Sequence, residues 1–275
     1  MKKERVDVLL VEQGLFETRE KAKRAVMAGI VYSNEVRLDK PGEKIPADAI
    51  LTIKGKTLPY VSRGGLKLEK ALKEFDLDVK DKILLDIGSS TGGFTDCALQ
   101  NGATMSYAVD VGYNQLAWKL RNDERVKVME RTNFRYVTPS DLNGPMPNFA
   151  SIDVSFISLK LILPVLKTLL VPNSDVVALV KPQFEAGKEQ VGKKGIIRDA
   201  KVHEEVVETI IDFSLETGFD VKNVSYSPIT GGDGNIEFLL HLHWSGREDN
   251  EKGLNELTVT PNEIVRNAHI EFHAK

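Results

Sequence analysis

Hydrophobic and polar positions divide the chain into two stretches with different rhythms. In residues 5–14 and 18–28 apolar positions recur at helical spacing, Val6, Leu9 and Leu10 forming one stripe and Ala22, Ala25 and Val26 another. Thr18 is suited to cap the second helix and Gly29 to end it. Short apolar runs at 30–32, 36–38 and 50–53 read as strands, separated by the turn residues Ser33-Asn34 and Pro41-Gly42. A polar connection at 57–62, which contains Pro59, leads to a helix beginning near Ser62 in which Leu66, Leu68 and Leu72 can pack. Lys67 falls in the first turn of that helix, where the macrodipole disfavours a cation, so some other need must keep it there.

From residue 82 onward strand-like and helix-like patterns alternate: 82–87, 92–101, 105–109, 114–120, 126–129, 149–153, 159–170, 175–180, 202–217, 221–227 and 236–244. The alternation predicts a doubly wound α/β sheet, in which ligands sit outside the carboxyl ends of the strands. Asp86, Asp110 and Asp153 fall at such ends, and Lys181 directly follows a fully apolar strand. A lysine at the end of a buried strand needs a partner, because burial alone disfavours its charge. Beyond Ser245 the chain is charged and weakly patterned, with one helix expected near 261–268.

The candidate chemistry begins at the first strand–turn–helix. The apolar run 83–87 stops at Gly88, Ser89, Ser90, Thr91, Gly92, Gly93 and Phe94 follow, and the next strand ends at Asp110 about twenty residues on. A glycine turn at a helix N-terminus lets backbone N–H groups approach a ligand, and an acidic residue at the second strand end can accept hydrogen bonds from a ribose diol. A P-loop would need Lys-Ser/Thr after its last glycine, where this chain has Phe94-Thr95. The dinucleotide fingerprint needs G-x-G-x-x-G, and the spacing here is Gly88-x-x-x-Gly92-Gly93. What remains is an adenosine ligand without a pyrophosphate, which fits S-adenosylmethionine, or a tight turn with no ligand at all.

Composition narrows the classes further. A chain of 275 residues can hold one large or two unequal domains. It opens without a secretory apolar segment, and its longest apolar stretch, 159–171, is interrupted by Lys160, Pro164 and Lys167, so a soluble cytoplasmic protein is expected. The single cysteine, Cys97, excludes an internal disulfide and a cysteine-based zinc site. His241 and His243 alternate on a strand without a third nearby ligand, so no metal is expected. Net charge is −3, yet residues 1–75 hold 16 Lys+Arg against 11 Asp+Glu and the remainder 21 against 29, making the front of the chain the part suited to a polyanion.

Two resemblances give these patterns a meaning. Thr18-Arg19-x-x-Ala22-x-x-x-Val26-x-x-Gly29-x-Val31, followed by a strand carrying Val36, resembles the S4 RNA-binding domain over roughly residues 3–56. That resemblance implies contacts to structured RNA from Arg5, Arg19, Lys23, Arg24 and Arg37, made largely to backbone and shape. The strand turn often carries Asn-Gly in that family, and here it is Ser33-Asn34-Glu35. In the second stretch the segment after Asp153 is Val-Ser-Phe, not the Pro-Pro-aromatic segment that commonly serves exocyclic amines, and Cys97 lies in the cofactor helix, where it cannot form a pyrimidine adduct. Neither acceptor is supported; a ribose 2′-hydroxyl is a poor acid, and as an acceptor it would need a group to take its proton.

The segments 86–96, 108–116, 153–159, 179–185 and 227–237 together resemble the TlyA/hemolysin A family, in which an S4 domain is joined to an FtsJ-like ribosomal RNA 2′-O-methyltransferase. The resemblance implies an S4-like α+β domain at 1–56, a linker at 57–62, a Rossmann-like class I methyltransferase domain at 63–245 and a C-terminal extension at 246–275. It implies S-adenosylmethionine as cofactor, ribosomal RNA as partner with a cytidine ribose as expected target, and a catalytic tetrad of Lys67, Asp153, Lys181 and Glu237. Lys181 would take or orient the hydroxyl proton, Asp153 and Glu237 would hold its ammonium group, and Lys67 would stabilise the oxygen. Asp86, Gly88, Ser89, Ser90, Thr91, Gly92, Gly93, Phe94, Asp110 and Asn133 would surround the cofactor, Asp110 on its ribose and Asn133 near its adenine edge. Two other readings stay open: a membrane-active hemolysin, and an RNA-binding protein with an inactive transferase domain.

Overall fold

The computed structural model describes residues 3–55, 58–192, 195–231 and 234–273, and the chain divides into two compact units, Met1–Arg63 and Gly64–Lys275. In the first unit β1 (Lys3–Arg5) leads into α1 (Val6–Glu12) and α2 (Arg19–Met27), followed by β2 (Val31–Ser33), β3 (Val36–Arg37), β4 (Lys44–Pro46) and β5 (Leu51–Ile53). The Thr18 hydroxyl caps α2, accepting from the Lys21 N–H at 3.2 Å. The two apolar stripes bury Val6, Leu9, Leu10, Ala22, Ala25 and Val26 with Val31 and Leu51 in one small core. Strands run in the order β3-β2-β5, all antiparallel, and β1 pairs antiparallel with β4. The β1–β4 ladder has no counterpart in the sequence reading, because Lys3–Arg5 and Lys44–Pro46 are too short and too polar to show alternation. Between β2 and β3 both loop residues, Asn34 and Glu35, have positive φ, the conformation of a two-residue hairpin turn.

The second unit begins with α3 (Gly64–Glu74) and continues through β6 (Ile83–Ile87), α4 (Gly93–Gln100), β7 (Met105–Val109), α5 (Trp118–Arg121), β8 (Val126–Met129), β9 (Phe149–Ile152), α6 (Leu163–Leu166), β10 (Ser174–Val180), α7 (Pro182–Glu185), α8 (Ala200–Thr217), β11 (Asp220–Tyr226), β12 (Phe238–Trp244) and α9 (Pro261–His273). The sheet order is β11-β12-β10-β9-β6-β7-β8; β6 to β10 are parallel, and β12 runs antiparallel between β10 and β11. The chain moves outward from β6 to β8 and returns to β9 on the other side of β6. That reversal opens a crevice at the carboxyl ends of β6 and β9.

Two expected helices are shorter than their patterns. Residues 114–120 give only α5, since Asn114 adopts φ 57° and Ala117 is extended. Residues 159–170 split into a 3₁₀ turn, Leu159–Leu161, and α6, with Pro164 in its first turn. The largest difference lies after residue 245. The C-terminal segment is part of the second unit: Ile264, Val265 and Ala268 of α9 are buried in the main core, and Asn255 bridges β11 at Val221. Gly253 passes so close to β11 that a Cβ there would lie 1.8 Å from the Phe219 carbonyl oxygen.

Candidate active site

At the crevice, strand ends deliver side chains that no single element could bring together. Asp153 follows β9, Lys181 follows β10, Glu237 precedes β12, and Lys67 sits in the first turn of α3. Lys67 Nζ lies 2.8 Å from Glu237 Oε2 and 3.4 Å from Asp153 Oδ2, and Lys181 Nζ lies 2.6 Å from Asp153 Oδ1 and 3.2 Å from Ser155 Oγ. All four expected tetrad residues thus form one chain, Glu237–Lys67–Asp153–Lys181. Glu237 holds Lys67, whereas the sequence reading had it holding Lys181. Lys67, Lys181 and Glu237 are buried.

The electrostatics follow from this alternation of sign. Burial pulls the Lys67 ammonium down, but Asp153 and Glu237 outweigh it and hold the group above the ordinary lysine value. Burial pushes Asp153 up, but Lys67 and Lys181 outweigh it and keep the carboxyl ionised below its ordinary value. Lys67 is therefore a fixed positive charge rather than a proton acceptor, which explains its position against the dipole of α3.

Asp153 also opens onto a cleft of about 760 Å³, whose walls include Gly88, Ser90, Asp110, Asn133, Ser155, Phe156 and Phe184. Of the expected cofactor residues, Gly88, Ser90, Asp110 and Asn133 line it, and Asp86, Ser89, Thr91, Gly92, Gly93 and Phe94 are not part of its walls. Asp110 accepts from the Ser90 N–H at 2.8 Å and the Gly112 N–H at 2.7 Å, which fixes its carboxylate at the end of β7. Asn133 caps a 3₁₀ turn, its Oδ1 accepting from the Arg135 N–H at 3.2 Å. The apolar wall comprises Val111, Phe134, Ile157, Leu161 and Ile162. A backbone turn with little side chain, a carboxylate at a strand end, an amide and an apolar slot together suit an adenosine carrying a short polar tail.

The two glycines at the ends of the turn serve packing. At Gly88, φ is 83° and a Cβ would come 2.4 Å from the Asp153 carbonyl oxygen, so only glycine lets the turn lie against the catalytic strand end. At Gly92, φ is 97° and a Cβ would meet Leu120 at 2.3 Å and Leu116 at 2.8 Å. Asp86, expected near the cofactor, is 1% exposed; it accepts from Thr95 Oγ1 at 2.7 Å, the Thr95 N–H at 3.1 Å and Ser151 Oγ at 2.9 Å. It ties α4 to β9 behind the turn, and burial lifts its carboxyl to about 6.

Sequence reasoning missed Ser155 and Glu185. The Glu185 carboxylate accepts from Ser158 Oγ at 2.5 Å and the Leu159 N–H at 2.7 Å, joining the segment after Lys181 to the one after Asp153. Its place four residues after Lys181 was visible, but which loop it would reach was not.

In the first unit the expected RNA contacts are largely paired with acids. Arg5 and Arg19 meet at Asp7, Lys23 pairs with Glu20 at 2.8 Å and Arg37 with Asp39 at 2.8 Å; Arg24 makes no ion pair among the described residues. His241 and His243 both meet Asp175 Oδ1, at 2.9 and 3.1 Å, and no cluster of metal-ligating side chains occurs among the described residues.

Comparison with known proteins points the same way. The FtsJ-like methyltransferase family model matches residues 60–244 and the S4 domain model residues 4–51. The chain is 72% identical over 268 residues to YqxC of Bacillus subtilis, provisionally named an rRNA methyltransferase, covering 98% of this chain and 95% of that protein. It is 41% identical over 254 residues to the 16S/23S rRNA (cytidine-2′-O)-methyltransferase TlyA of Mycobacterium tuberculosis, covering 92% and 94% of the two chains. A solved structure provisionally called a hemolysin, from Streptococcus thermophilus, superposes with a TM-score of 0.79 at 58% identity, covering 100% of this chain and 98% of that one.

Proposed function

The chain belongs to the TlyA/hemolysin A family, in which an S4 domain is joined to an FtsJ-like methyltransferase domain, and on that premise we propose that it methylates a ribose 2′-hydroxyl of ribosomal RNA, with a cytidine as the target nucleoside. The observation that carries this reading is the continuous chain Glu237–Lys67–Asp153–Lys181, which reaches the cleft through Asp153. Gly88, Ser90, Asp110 and Asn133 would hold S-adenosylmethionine, which supplies an electrophilic methyl group on a sulfonium centre. Lys181 takes or orients the 2′-hydroxyl proton, with its Nζ positioned by Asp153 and Ser155. Lys67, kept charged by Glu237 and Asp153, stabilises the negative charge that develops on the oxygen. The S4 unit supplies affinity for structured RNA through Arg5, Arg19, Lys23, Arg24 and Arg37.

Lys181→Ala should lower methyl transfer by at least about a hundredfold, the usual scale of a lost general acid or base, while S-adenosylmethionine binding measured by calorimetry stays within a few-fold. Turnover near that of the wild type would remove the role given to Lys181. The same calorimetry separates an inactive transferase domain, which would bind no cofactor. As for membrane lysis, no helix among the described residues is long and apolar enough to cross a membrane.

A further inference from the structure

Asp7 is a charged residue with a side chain 0% exposed at the start of a helix, in the unit that the proposed function assigns to RNA binding. Two arginines converge on it. Arg5 binds it as a fork, Nε to Oδ1 at 2.9 Å and one terminal nitrogen to Oδ2 at 3.0 Å, and Arg19 donates to Oδ2 at 2.9 Å. The arginine side chains themselves stay 40% and 53% exposed. Arg5 therefore has one edge of its guanidinium fixed on the buried carboxylate and Arg19 one terminal nitrogen, and each side chain keeps exposed surface with N–H donors that Asp7 does not use. The Arg5 guanidinium also lies flat against Gly42, where a Cβ would stand 3.0 Å from its nearest nitrogen.

The other acid partners of this unit differ in kind. Glu17, Glu20 and Asp39 are 80%, 73% and 56% exposed, so their pairs with Lys21, Lys23 and Arg37 are surface contacts that a phosphate can displace at little cost. Asp7 cannot swing away, and a phosphate cannot reach the oxygens it uses. One buried negative charge shared by two arginines also leaves a net positive pair.

We propose that Asp7 is a positioning residue for RNA binding, a buried bracket that holds the Arg5 and Arg19 guanidinium groups side by side as a preformed phosphate clamp. The inference rests on the reading that the first unit binds RNA. Its distinguishing feature is the sign of the effect. Removing a negative charge beside a polyanion should strengthen binding by charge alone, whereas removing a bracket should weaken it.

The test uses the full-length chain and a structured ribosomal RNA transcript, with affinity measured across a salt series. Asp7→Asn should bind roughly five- to tenfold more weakly at about 150 mM salt, with a salt slope shallower by about one phosphate contact. In an Arg5→Ala/Arg19→Ala background the same change should have no further weakening effect. Because Asp7 is buried, Arg19→Lys provides an independent check at an exposed position: it keeps the charge but loses the separate guanidinium nitrogens with which Arg19 can hold Asp7 and a phosphate at once, and should bind as weakly as Arg19→Ala. Asp7→Asn binding as tightly as wild type or more tightly, or Arg19→Lys binding like wild type, would overturn the proposal. A wild-type chain that binds no RNA would overturn the underlying reading with it.

Discussion

Asp153 and Lys181 were legible as single residues because each stands at the end of a strand whose apolar run is plain, and strand ends in this sheet class face ligands, whereas Glu237 was implied only by the family resemblance. Lys67 gave a weaker signal, a cation where the helix dipole opposes it; its partners became visible only with the fold, since Glu237 is 170 positions away. Asp86 was read as a cofactor contact because it ends a strand, yet its oxygens turn inward to Thr95 and Ser151. That burial has a measurable consequence. With the folded-state value near 6 and the ordinary value at 3.8, the folded protein keeps this proton over a range in which the unfolded chain has released it. The stability contributed is full below about pH 4, falls as pH rises through the window, and is lost above about pH 6, a difference of roughly 3 kcal/mol. Denaturant unfolding of wild type and Asp86→Asn across this range should show the wild type losing up to that amount relative to the variant. A difference independent of pH would contradict the inward-facing role.

Among elements, those with strong periodicity were read correctly in kind: the two helices of the first unit, the parallel strands, and α8, whose Asp199 cap only the structure shows. Errors cluster where tertiary contacts override local pattern. Residues 114–120 look helical but must bring Leu116 and Leu120 over Gly92, and the chain bends through Asn114 in the left-handed region before α5 begins at Trp118. The C-terminal segment read only as an extension of unknown role with one helix, because its apolar residues are sparse among charges. In the structure Ile264, Val265 and Ala268 close the core, and Arg247 and the Leu254 N–H satisfy the buried Asp220 carboxylate at 2.5 and 2.7 Å. A chain ending at Ser245 should therefore lose more than about 5 kcal/mol, since each buried aliphatic side chain is worth roughly 1.5–3 kcal/mol and Asp220 would be left buried without its partners. Thermal unfolding checks this; an unchanged midpoint would show that the segment is dispensable.

The charge is also uneven along the chain: a basic front, and a remainder with an excess of acidic residues. Asp110, Asp153 and Lys181 sit where the doubly wound sheet reverses direction, and the spacing of Gly88 and Gly92 reflects how tightly the turn is packed against Asp153, Leu116 and Leu120. The chemical assignment joins these features, a cleft suited to an adenosine and a charged relay suited to a reluctant hydroxyl acid, in one reaction. The most direct test is to incubate the purified protein with ribosomal subunits and S-adenosylmethionine carrying a labelled methyl group, digest the RNA to nucleosides, and locate the label by mass spectrometry. The account predicts label on the ribose 2′-oxygen of a cytidine. Label on a base, or no incorporation into either subunit, would contradict it.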